Sequence, residues 1–462
     1  MRGADVVPRW AWKYSFAINP VRTAVLNAVH VGPLAGVRIL EFGSFVAAPF
    51  AGQLLSDMGA DVIKIESPTG DPWRQHIPIE PNEGRSFLSL NRGKRSVCLD
   101  LTKPHERVMC HKLVQSADAV IVNNRPATSR KLGIDYETLS AVQPRLVYCE
   151  ITGFGPYGPS SDRPGFDLIM QGYSGIMASE GRQENNQPIS VTSTPVIDFS
   201  AGYAASNAVA SGLFARERSG RGQKISTSLL ANAVAIQSMV AIHIDQAPSQ
   251  ARKWLNGRGR NLMTNGSTYQ QLQDEYQKAR RDSSGGSAVS PVFRTYYRAY
   301  RTKDSAIAIG ALANKFRINL LRVLGLTDPR VQEEQYDDST LEALRAGDKL
   351  VAAMENAFAG RMTADWVELL RNNNVPCEPV RFVEELLEDE QAIANGYMVE
   401  LDHPVVGKYR TSGPVWHFEN DRAASNTRTS PSLGADTRKI LAEAGFSNDD
   451  IGTLSWANSR IT

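Results

Sequence analysis

Short apolar runs alternate with helix-like segments through the first third of the chain, and this alternation constrains the fold more than any other feature. Residues 36–42 form an apolar run, residues 48–58 have the spacing of a helix, and residues 59–65 form a second run. A strand, a helix and a strand in this order form a βαβ unit, which requires a parallel sheet and a right-handed crossover. The pattern then repeats, with further strands predicted at 95–100, 117–122 and 145–151 and helices at 104–116 and 136–142. The sequence therefore predicts an α/β protein built on an open parallel sheet.

Changes in composition divide the 462 residues into five parts. Residues 251–290 turn polar and charged, which is typical of a linker, and strand and helix patterns resume after residue 291. We predict a Rossmann-like large domain and a smaller α/β domain. The five predicted parts are an N-terminal extension at 1–33, the large domain at 34–235, a linker with a mobile polar loop at 236–290, the small domain at 291–400 and a return to the large domain at 401–462.

The overall composition excludes several classes of protein. The formal net charge is only +2, so no global field would attract nucleic acid or an anionic membrane. No run of about 18 apolar residues is present, so we expect no membrane-spanning helix. The four cysteines form no C-x-x-C pair and the seven histidines have no metal-binding spacing. We therefore expect neither a metal site nor a disulfide framework, and a reducing compartment.

The first 33 residues are basic, because they carry Arg2, Arg9, Lys13 and Arg22 against one acid, Asp5. Two interpretations remain open, a solvated N-terminal extension and a mitochondrial presequence. We therefore predict a cytoplasmic protein, with the mitochondrial matrix as the alternative location.

One carboxylate stands at the start of the most distinctive helix pattern. Asp198 follows a short apolar run, and Ala205, Val209 and Leu213 then recur every four residues, as one helix face requires. Many intervening residues are Gly or Ala, so this helix can lie close to other backbone. An Asp directly before a helix usually caps its first free N–H groups. The alternative is that the carboxylate is presented to a substrate.

Small and polar residues follow the predicted strands, at the edge where open α/β sheets bind ligands. Gly43, Ser44 and Phe45 follow the first strand, and Asn123 follows the strand at 117–122. The first of these turns lacks the second and third glycines of a G-x-G-x-x-G motif. A dinucleotide-binding site is therefore only weakly supported.

Several segments, in a fixed order, resemble the class III CoA-transferases of the CaiB/BaiF type, the family that includes formyl-CoA transferase. The resemblance covers roughly residues 34–456. The segments are PLAGVRILEFGSFVAAPFAGQLLSDMGADVIKIESP, SLNRGKRSVCLDL, RPATSRKLGIDYETLSAVQPRLVYCEITGFGPYGP, RPGFD, PVIDFSAG, GRGQKI, NNNVPCEPV, DHPVVGKYRTSGP and SPSLGADT. The resemblance implies reversible transfer of CoA from an acyl-CoA, plausibly succinyl-CoA, to a small carboxylic acid. It also implies that CoA is a substrate and that no metal or tightly bound cofactor is used.

In that family, the aspartate at the position of Asp198 is the covalent nucleophile. With its unperturbed pKa of about 3.9, this carboxyl would be ionised at neutral pH and would need no general base. The resemblance implies an acyl–aspartyl anhydride and then an aspartyl-CoA thioester. Both hydrolyse easily, so water must be excluded, and Gly285 and Gly286 are our candidates for a lid. A plain flexible linker is the alternative for these two glycines.

Two neighbouring residues distinguish transfer from racemisation within this resemblance. The related racemases have a histidine that exchanges a proton before the aspartate at the position of Asp167. Here that position is Phe166, which cannot transfer a proton. We therefore expect transfer, with Asp167 either orienting the substrate or capping a turn. The alternatives are intramolecular CoA transfer, a racemase or isomerase, and a non-catalytic CoA-binding subunit of a heteromer.

The family's CoA contacts correspond to seven positions of this sequence. They are Phe45, Val46, Ala47, Lys94, Arg95, Asn123 and Lys131. Lys94 or Arg95 would face the nucleotide phosphates, whose charge a cation must offset. The resemblance further implies a homodimer in which two ring-like chains interlock.

Overall fold

A six-stranded parallel sheet forms the centre of the large domain in this computed structural model, which describes residues 32–281, 295–332, 341–419 and 428–455. Its strands are β1 (Arg38–Phe42), β2 (Asp61–Glu66), β3 (Arg95–Cys98), β4 (Ala119–Val122), β5 (Val147–Thr152) and β6 (Gln223–Ser228). The spatial order is β3-β2-β1-β4-β5-β6, and every neighbouring pair is parallel. This is the strand order of doubly wound dinucleotide-binding folds. The predicted fold class is therefore confirmed for the large domain.

Helices cover both faces of this sheet. They are α1 (Ala47–Asp57), α2 (Arg85–Leu90), α3 (Pro104–Val114), α4 (Pro126–Leu132), α5 (Tyr136–Val142), α6 (Asp167–Tyr173), α7 (Ile176–Glu180), α8 (Val196–Ser219) and α9 (Leu229–Ala235). A 3-10 helix at Pro72–Gln75 and the short hairpins Pro78–Glu80 with Glu83–Gly84 and Gln183–Glu184 with Gln187–Pro188 complete the domain.

The strands are almost wholly apolar because both of their faces are buried. In β1, Leu40 and Phe42 contribute to the core that α3 and α5 cover, whereas Ile39 contributes to the core beneath α1 and α8. The small residues of α8 permit a close approach to α1. A Cβ added at Gly202 would lie 2.9 Å from the carbonyl oxygen of Ala47.

The region that we predicted as a linker at 236–290 is partly helical. It contains α10 (Gln250–Trp254), a π-helical turn (Leu255–Gly259), α11 (Arg260–Thr264) and α12 (Tyr269–Arg281). Glu275 on α12 accepts hydrogen bonds from Trp254 (3.2 Å) and Arg258 (2.6 Å), which tie these helices together. Residues 250–281 of the predicted linker are therefore mostly helical. The candidate lid residues Gly285 and Gly286 lie outside the described residues.

The small domain is built on an antiparallel sheet rather than a parallel one. Its strands are β7 (Tyr297–Arg301), β8 (Ala306–Gly310) and β9 (Cys377–Pro379), and its helices are α13 (Asn314–Leu324), α14 (Pro329–Gln332), α15 (Leu341–Phe358) and α16 (Thr363–Asn372). Apolar side chains from the sheet and from these helices form a separate core that includes Tyr300, Phe358 and Trp366.

The last part of the described chain packs against the large domain again. It comprises a 3-10 helix (Val383–Leu387), α17 (Glu390–Ala394), the hairpin of β10 (Met398–His403) and β11 (Gly407–Ser412), α18 (Thr437–Glu443) and α19 (Asn448–Gly452). Ile440 and Leu441 of α18 are buried in the same core as Leu40 of β1. The domain boundary that we placed at residue 400 falls inside β10.

Candidate active site

The chain reverses its winding direction between β1 and β4, and open α/β sheets bind ligands at such a point, beyond the carboxyl ends of the strands. The turn after β1 and the residue after β4 meet there. Asn123 accepts a hydrogen bond from the amide of Ser44 (3.0 Å) and donates one to the carbonyl of Ser44 (2.8 Å). The side chain of Asn123 therefore fixes the turn that follows β1.

A cavity of about 220 Å³ lies at this edge. Its lining includes Ser44, Ser67, Thr102, Asn124 and Leu132. The exposed Lys131 is next to Leu132 on α4, which places one of the predicted CoA contacts beside the cavity.

Phe45 has an unusual backbone conformation, with a φ of 67° in the left-handed region that disfavours bulky residues. Its amide donates a hydrogen bond to Asp71 (3.3 Å). Its ring makes edge-to-face contacts with Trp73 and Phe166, at centroid distances of 5.5 and 5.7 Å. Val46, which follows, is buried. The turn predicted to bind CoA is thus held in one defined shape.

Asp198 lies in the first turn of α8 rather than before the helix. The helix begins at Val196 and its N-cap residue is Pro195, whose side chain makes no capping hydrogen bond. The expectation that Asp198 could cap the helix is therefore wrong. Asp167 performs that role instead, because its carboxylate accepts hydrogen bonds from the amides of Ile197 (2.7 Å) and Asp198 (3.1 Å).

Asp167 is itself held by its own helix. It is 8% exposed, and its second carboxylate oxygen bonds to Gln171, one turn further along α6. Gln171 in turn accepts hydrogen bonds from the amide of Val191 (3.0 Å) and the hydroxyl of Ser190 (3.0 Å). Sequence reasoning missed Gln171, because no motif signals a contact between residues 171 and 191.

Burial raises the pKa of Asp198 to about 7, and the neighbouring negative charge of Asp167 adds to the effect. The pKa of about 3.9 that we assumed from the sequence is therefore too low. A carboxyl with a pKa near 7 is ionised in only about half of the molecules at neutral pH. It is also a stronger base, and hence a better nucleophile when ionised, than an exposed aspartate.

Two glycines bring Asp167 to this position. A Cβ added at Gly165 would lie 2.5 Å from the Cα of Gly153, and one added at Gly153 would lie 2.8 Å from the Cα of Gly165. The backbone after β5 and the backbone before α6 can therefore touch only because both residues lack side chains. This contact places Phe166 and Asp167 beside the end of β5.

Aromatic contacts connect α8, which carries Asp198, to the turn after β1. The ring of Phe199 packs edge-on against Phe50 of α1 at 4.7 Å, and Phe166 packs against Phe45. Together with the approach of Gly202 to Ala47, these contacts bring Asp198, Asp167 and the turn after β1 to the same edge of the sheet.

Lys94 and Arg95, two of the predicted CoA contacts, are both paired with carboxylates. The ammonium of Lys94 is buried, ion-paired with Glu41 at 2.7 Å, and donates to the carbonyl of Pro49 at 2.7 Å. Arg95 begins β3 and so lies at the amino edge of the sheet, where it is paired with Asp61 and Glu443. That Lys94 or Arg95 faces the nucleotide phosphates stays a prediction.

The described residues contain neither a metal-binding cluster nor a membrane-spanning helix. No group of three or more His, Cys, Asp and Glu side chains there is arranged to hold a metal ion. None of the helices in the described ranges is both long enough and apolar enough to span a bilayer.

This chain is similar to known proteins over most of its length. The model of CoA-transferase family III matches residues 34–437. Succinyl-CoA:glutarate CoA-transferase of Mus musculus is 30% identical over 413 residues, which cover 89% of this chain and 86% of that protein. Succinate–glutarate CoA-transferase of Agrobacterium fabrum is 31% identical over 424 residues, covering 89% of this chain and 95% of that protein.

A solved structure shares the fold. The crystal structure of a CaiB/BaiF family protein from Brucella suis superposes with a TM-score of 0.67 and is 28% identical, with 89% of this chain and 99% of that chain covered. The family resemblance that the sequence motifs indicated is therefore confirmed. This chain belongs to CoA-transferase family III and is a CoA-transferase enzyme.

Proposed function

We propose that this enzyme transfers CoA from succinyl-CoA to a small di- or hydroxycarboxylic acid, with Asp198 as the covalent nucleophile. The observation that carries the proposal is the position of Asp198, in the first turn of α8 and next to the turn at Phe45–Ala47, at the ligand edge of the sheet. The choice of acids is supported by the two relatives whose names specify succinate or succinyl-CoA with glutarate.

The first half of the reaction moves the acyl group onto the enzyme. The ionised carboxylate of Asp198 attacks the thioester carbon, the C–S bond breaks, and CoA leaves as a thiolate. This gives a mixed anhydride between the acyl group and Asp198. The thiolate then attacks the aspartyl carbonyl, the donor acid leaves as its carboxylate, and Asp198 carries CoA as a thioester.

The second half runs the same steps backwards with a different acid. The acceptor carboxylate attacks the carbonyl of the aspartyl thioester and releases the CoA thiolate. This step gives a mixed anhydride between the acceptor acid and Asp198. The thiolate then attacks the acceptor's acyl carbon, which gives the new acyl-CoA and restores the Asp198 carboxylate. One thioester is exchanged for another, so the cycle needs no net input of energy.

The surrounding residues supply stabilisation rather than proton transfer. Each attack places negative charge on a carbonyl oxygen, and the first-turn N–H groups of α1 at Val46–Ala48 are our candidates to stabilise it. Asp167 keeps the first turn of α8 in place by accepting two of its amide hydrogen bonds. Phe166 offers no proton, so the site favours transfer over racemisation.

The test is direct detection of the covalent adduct. The enzyme is incubated with succinyl-CoA and then digested, and the peptide that contains Asp198 is measured by mass spectrometry. We expect an increase equal to CoA minus water on that peptide in the wild type and none in Asp198→Asn. We also expect Asp198→Asn to lower the exchange of labelled succinate into succinyl-CoA by 10³-fold or more, the scale seen when a covalent nucleophile is removed.

The alternatives give different results in the same experiment. A non-catalytic CoA-binding subunit would bind CoA without forming the adduct. An enzyme of intramolecular transfer would form the adduct but would not incorporate a labelled external acid. Undiminished exchange by Asp198→Asn would rule out the proposed mechanism.

We further propose that the enzyme is a homodimer in the cytoplasm, or in the mitochondrial matrix if residues 1–33 direct it there. Large apolar side chains support the association, because Met239, Ile242, Phe382 and Val383 are each more than 65% exposed in the single chain. Light scattering should give about twice the chain mass of 50.7 kDa. A mass equal to one chain would contradict the dimer.

A further inference from the structure

Four buried charged side chains lie directly beneath the turn that connects β1 to α1. They are Glu41, Lys64, Asp71 and Lys94, and each is less than 5% exposed. Two lysines thus balance two carboxylates, which is the condition for keeping charges out of water. Burial alone would lower the pKa of Lys64, but Glu41, Asp71 and Glu66 outweigh it and raise that pKa, so this ammonium stays charged.

Glu41 bridges the two lysines, and each lysine also binds the backbone of the turn. The Glu41 carboxylate accepts a hydrogen bond from Lys64 (2.8 Å) and lies 2.7 Å from the ammonium of Lys94. Lys64 donates to the carbonyl of Gly43 (2.6 Å), at the start of the turn. Lys94 donates to the carbonyl of Pro49 (2.7 Å), in the first turn of α1. The cluster therefore holds the connection at both ends.

Asp71 extends the cluster to the middle of the turn. One of its carboxylate oxygens lies 3.0 Å from the ammonium of Lys64. The other accepts hydrogen bonds from the amides of Phe45 (3.3 Å) and Trp73 (2.9 Å). The left-handed conformation of Phe45 is strained for a residue with a bulky side chain and persists only where surrounding contacts fix it. The bond from Asp71 is such a contact.

We infer that Asp71, supported by Lys64, is a positioning residue for CoA transfer, which fixes Phe45 in its left-handed conformation and thereby aims the amides of Val46 and Ala47 at the substrate. The inference rests on the proposed function, since it takes this turn to be part of the CoA site. Three members of the cluster each make a hydrogen bond to the backbone of this connection: Lys64 at Gly43, Asp71 at Phe45 and Lys94 at Pro49.

The test compares Asp71→Asn with a matched variant, Asp328→Asn. Asp328 is equally buried, is ion-paired with Arg330 at 2.8 Å and accepts a hydrogen bond from Tyr296 (2.6 Å), but it lies in the small domain. Two quantities are measured on the full-length enzyme. They are the amide hydrogen exchange of the peptide covering 43–49, by mass spectrometry, and the Kd of free coenzyme A, by calorimetry.

We expect Asp71→Asn to speed exchange in the 43–49 peptide by at least tenfold and to raise the Kd of coenzyme A about tenfold. Asp328→Asn should leave both within twofold of the wild type, even if its Tm falls as much. Exchange and Kd within twofold of the wild type in folded Asp71→Asn would overturn the inference.

Two further outcomes remain decisive. If Asp71→Asn does not fold, Glu41→Gln takes its place, because Gln keeps an acceptor for one lysine while removing the charge; we expect the same directions with about a threefold effect. If the wild type binds no coenzyme A, the proposed function fails. The exchange comparison then decides by itself whether Asp71 fixes the turn.

Discussion

Asp198 determines how the reaction should depend on pH. Its carboxyl must be ionised to attack, and burial together with Asp167 raises its pKa to about 7. Because the ionised fraction increases with pH, we expect kcat/KM to rise through pH 7 and to level off roughly one to two units above it. The measurement is kcat/KM between pH 5.5 and 9. A profile that is flat or that falls across this range would contradict the raised pKa.

Asp167 should tune that pH profile, because its negative charge disfavours ionisation of Asp198. We expect Asp167→Asn to shift the rising limb of kcat/KM to lower pH, and to cost about 1 kcal/mol of stability through the weakened helix cap. The control is Asp135→Asn, which removes the charge from another N-cap that accepts from Thr138 (3.1 Å) on the remote helix α5. The control should lose similar stability with no shift of the limb. An identical limb in Asp167→Asn and the wild type would refute the coupling.

At the scale of elements, the contact between Gly153 and Gly165 sets the distance between β5 and α6. A Cβ at Gly165 would overlap the Cα of Gly153, so Gly165→Ala must move the backbone that carries Asp167. Overpacking of this kind costs about 1–3 kcal/mol. We expect kcat/KM to fall tenfold or more, since a shift of about 1 Å at a positioned group can cost 10²-fold.

The matched control for this contact is Gly172→Ala, seven residues further on. A Cβ at Gly172 would meet nothing within 4 Å, and the residue lies inside α6 with ordinary helical φ. We expect this variant to gain roughly 0.4–1 kcal/mol of stability and to keep its activity. Equal activities of Gly165→Ala and Gly172→Ala would show that the spacing of the two glycines does not matter.

Local patterns predicted the regular elements well and failed where distant residues decide. The bounds of α5 were predicted to the residue, and the predicted end of β4 is also correct. Helices α10–α12 were not predicted, because their sequence is mostly polar. The hydrogen bond that joins Arg258 to Glu275 spans 17 residues, so local patterns do not reveal it. The start of α8 was misplaced because its cap comes from Asp167, 31 residues before Asp198.

In the candidate site, too, local motifs predicted part of the arrangement and contacts between distant residues were missed. Asp198 and the turn at Phe45–Ala47 were singled out because family motifs mark them, and their common edge of the sheet follows from strand direction. The position of Arg95 follows from the same rule, because a residue that begins a parallel strand lies at the amino edge of the sheet. The link from Phe45 to Asp71 could not be predicted, since it depends on one left-handed backbone conformation.

At the scale of the whole molecule, the C-terminal segment completes the large domain. Residues near 430 bind the buried side chains at the edge of the sheet: Arg74 donates to the carbonyl of Pro431 (3.1 Å), and the amide of Gly434 donates to Ser96 (2.8 Å). The sheet therefore depends on residues more than 330 positions away in the sequence. These contacts join the two ends of the described chain in one folded unit.

One buried hydroxyl tests this dependence. The side chain of Thr437 is fully buried, accepts a hydrogen bond from the amide of Cys98 (3.0 Å) in β3 and donates one to the carbonyl of Gly434 (2.8 Å). Thr437→Val keeps the shape but removes both bonds, so we expect a loss of about 1–3 kcal/mol. The urea midpoint should fall with an unchanged m-value, because the surface exposed on unfolding stays the same.

Thr453→Val is the control for this prediction. The hydroxyl of Thr453 is exposed and donates locally to the carbonyl of Asp450, so this variant should change stability by less than about 0.5 kcal/mol. If both variants kept the wild-type midpoint, the two hydrogen bonds of Thr437 would contribute nothing to the stability of the sheet.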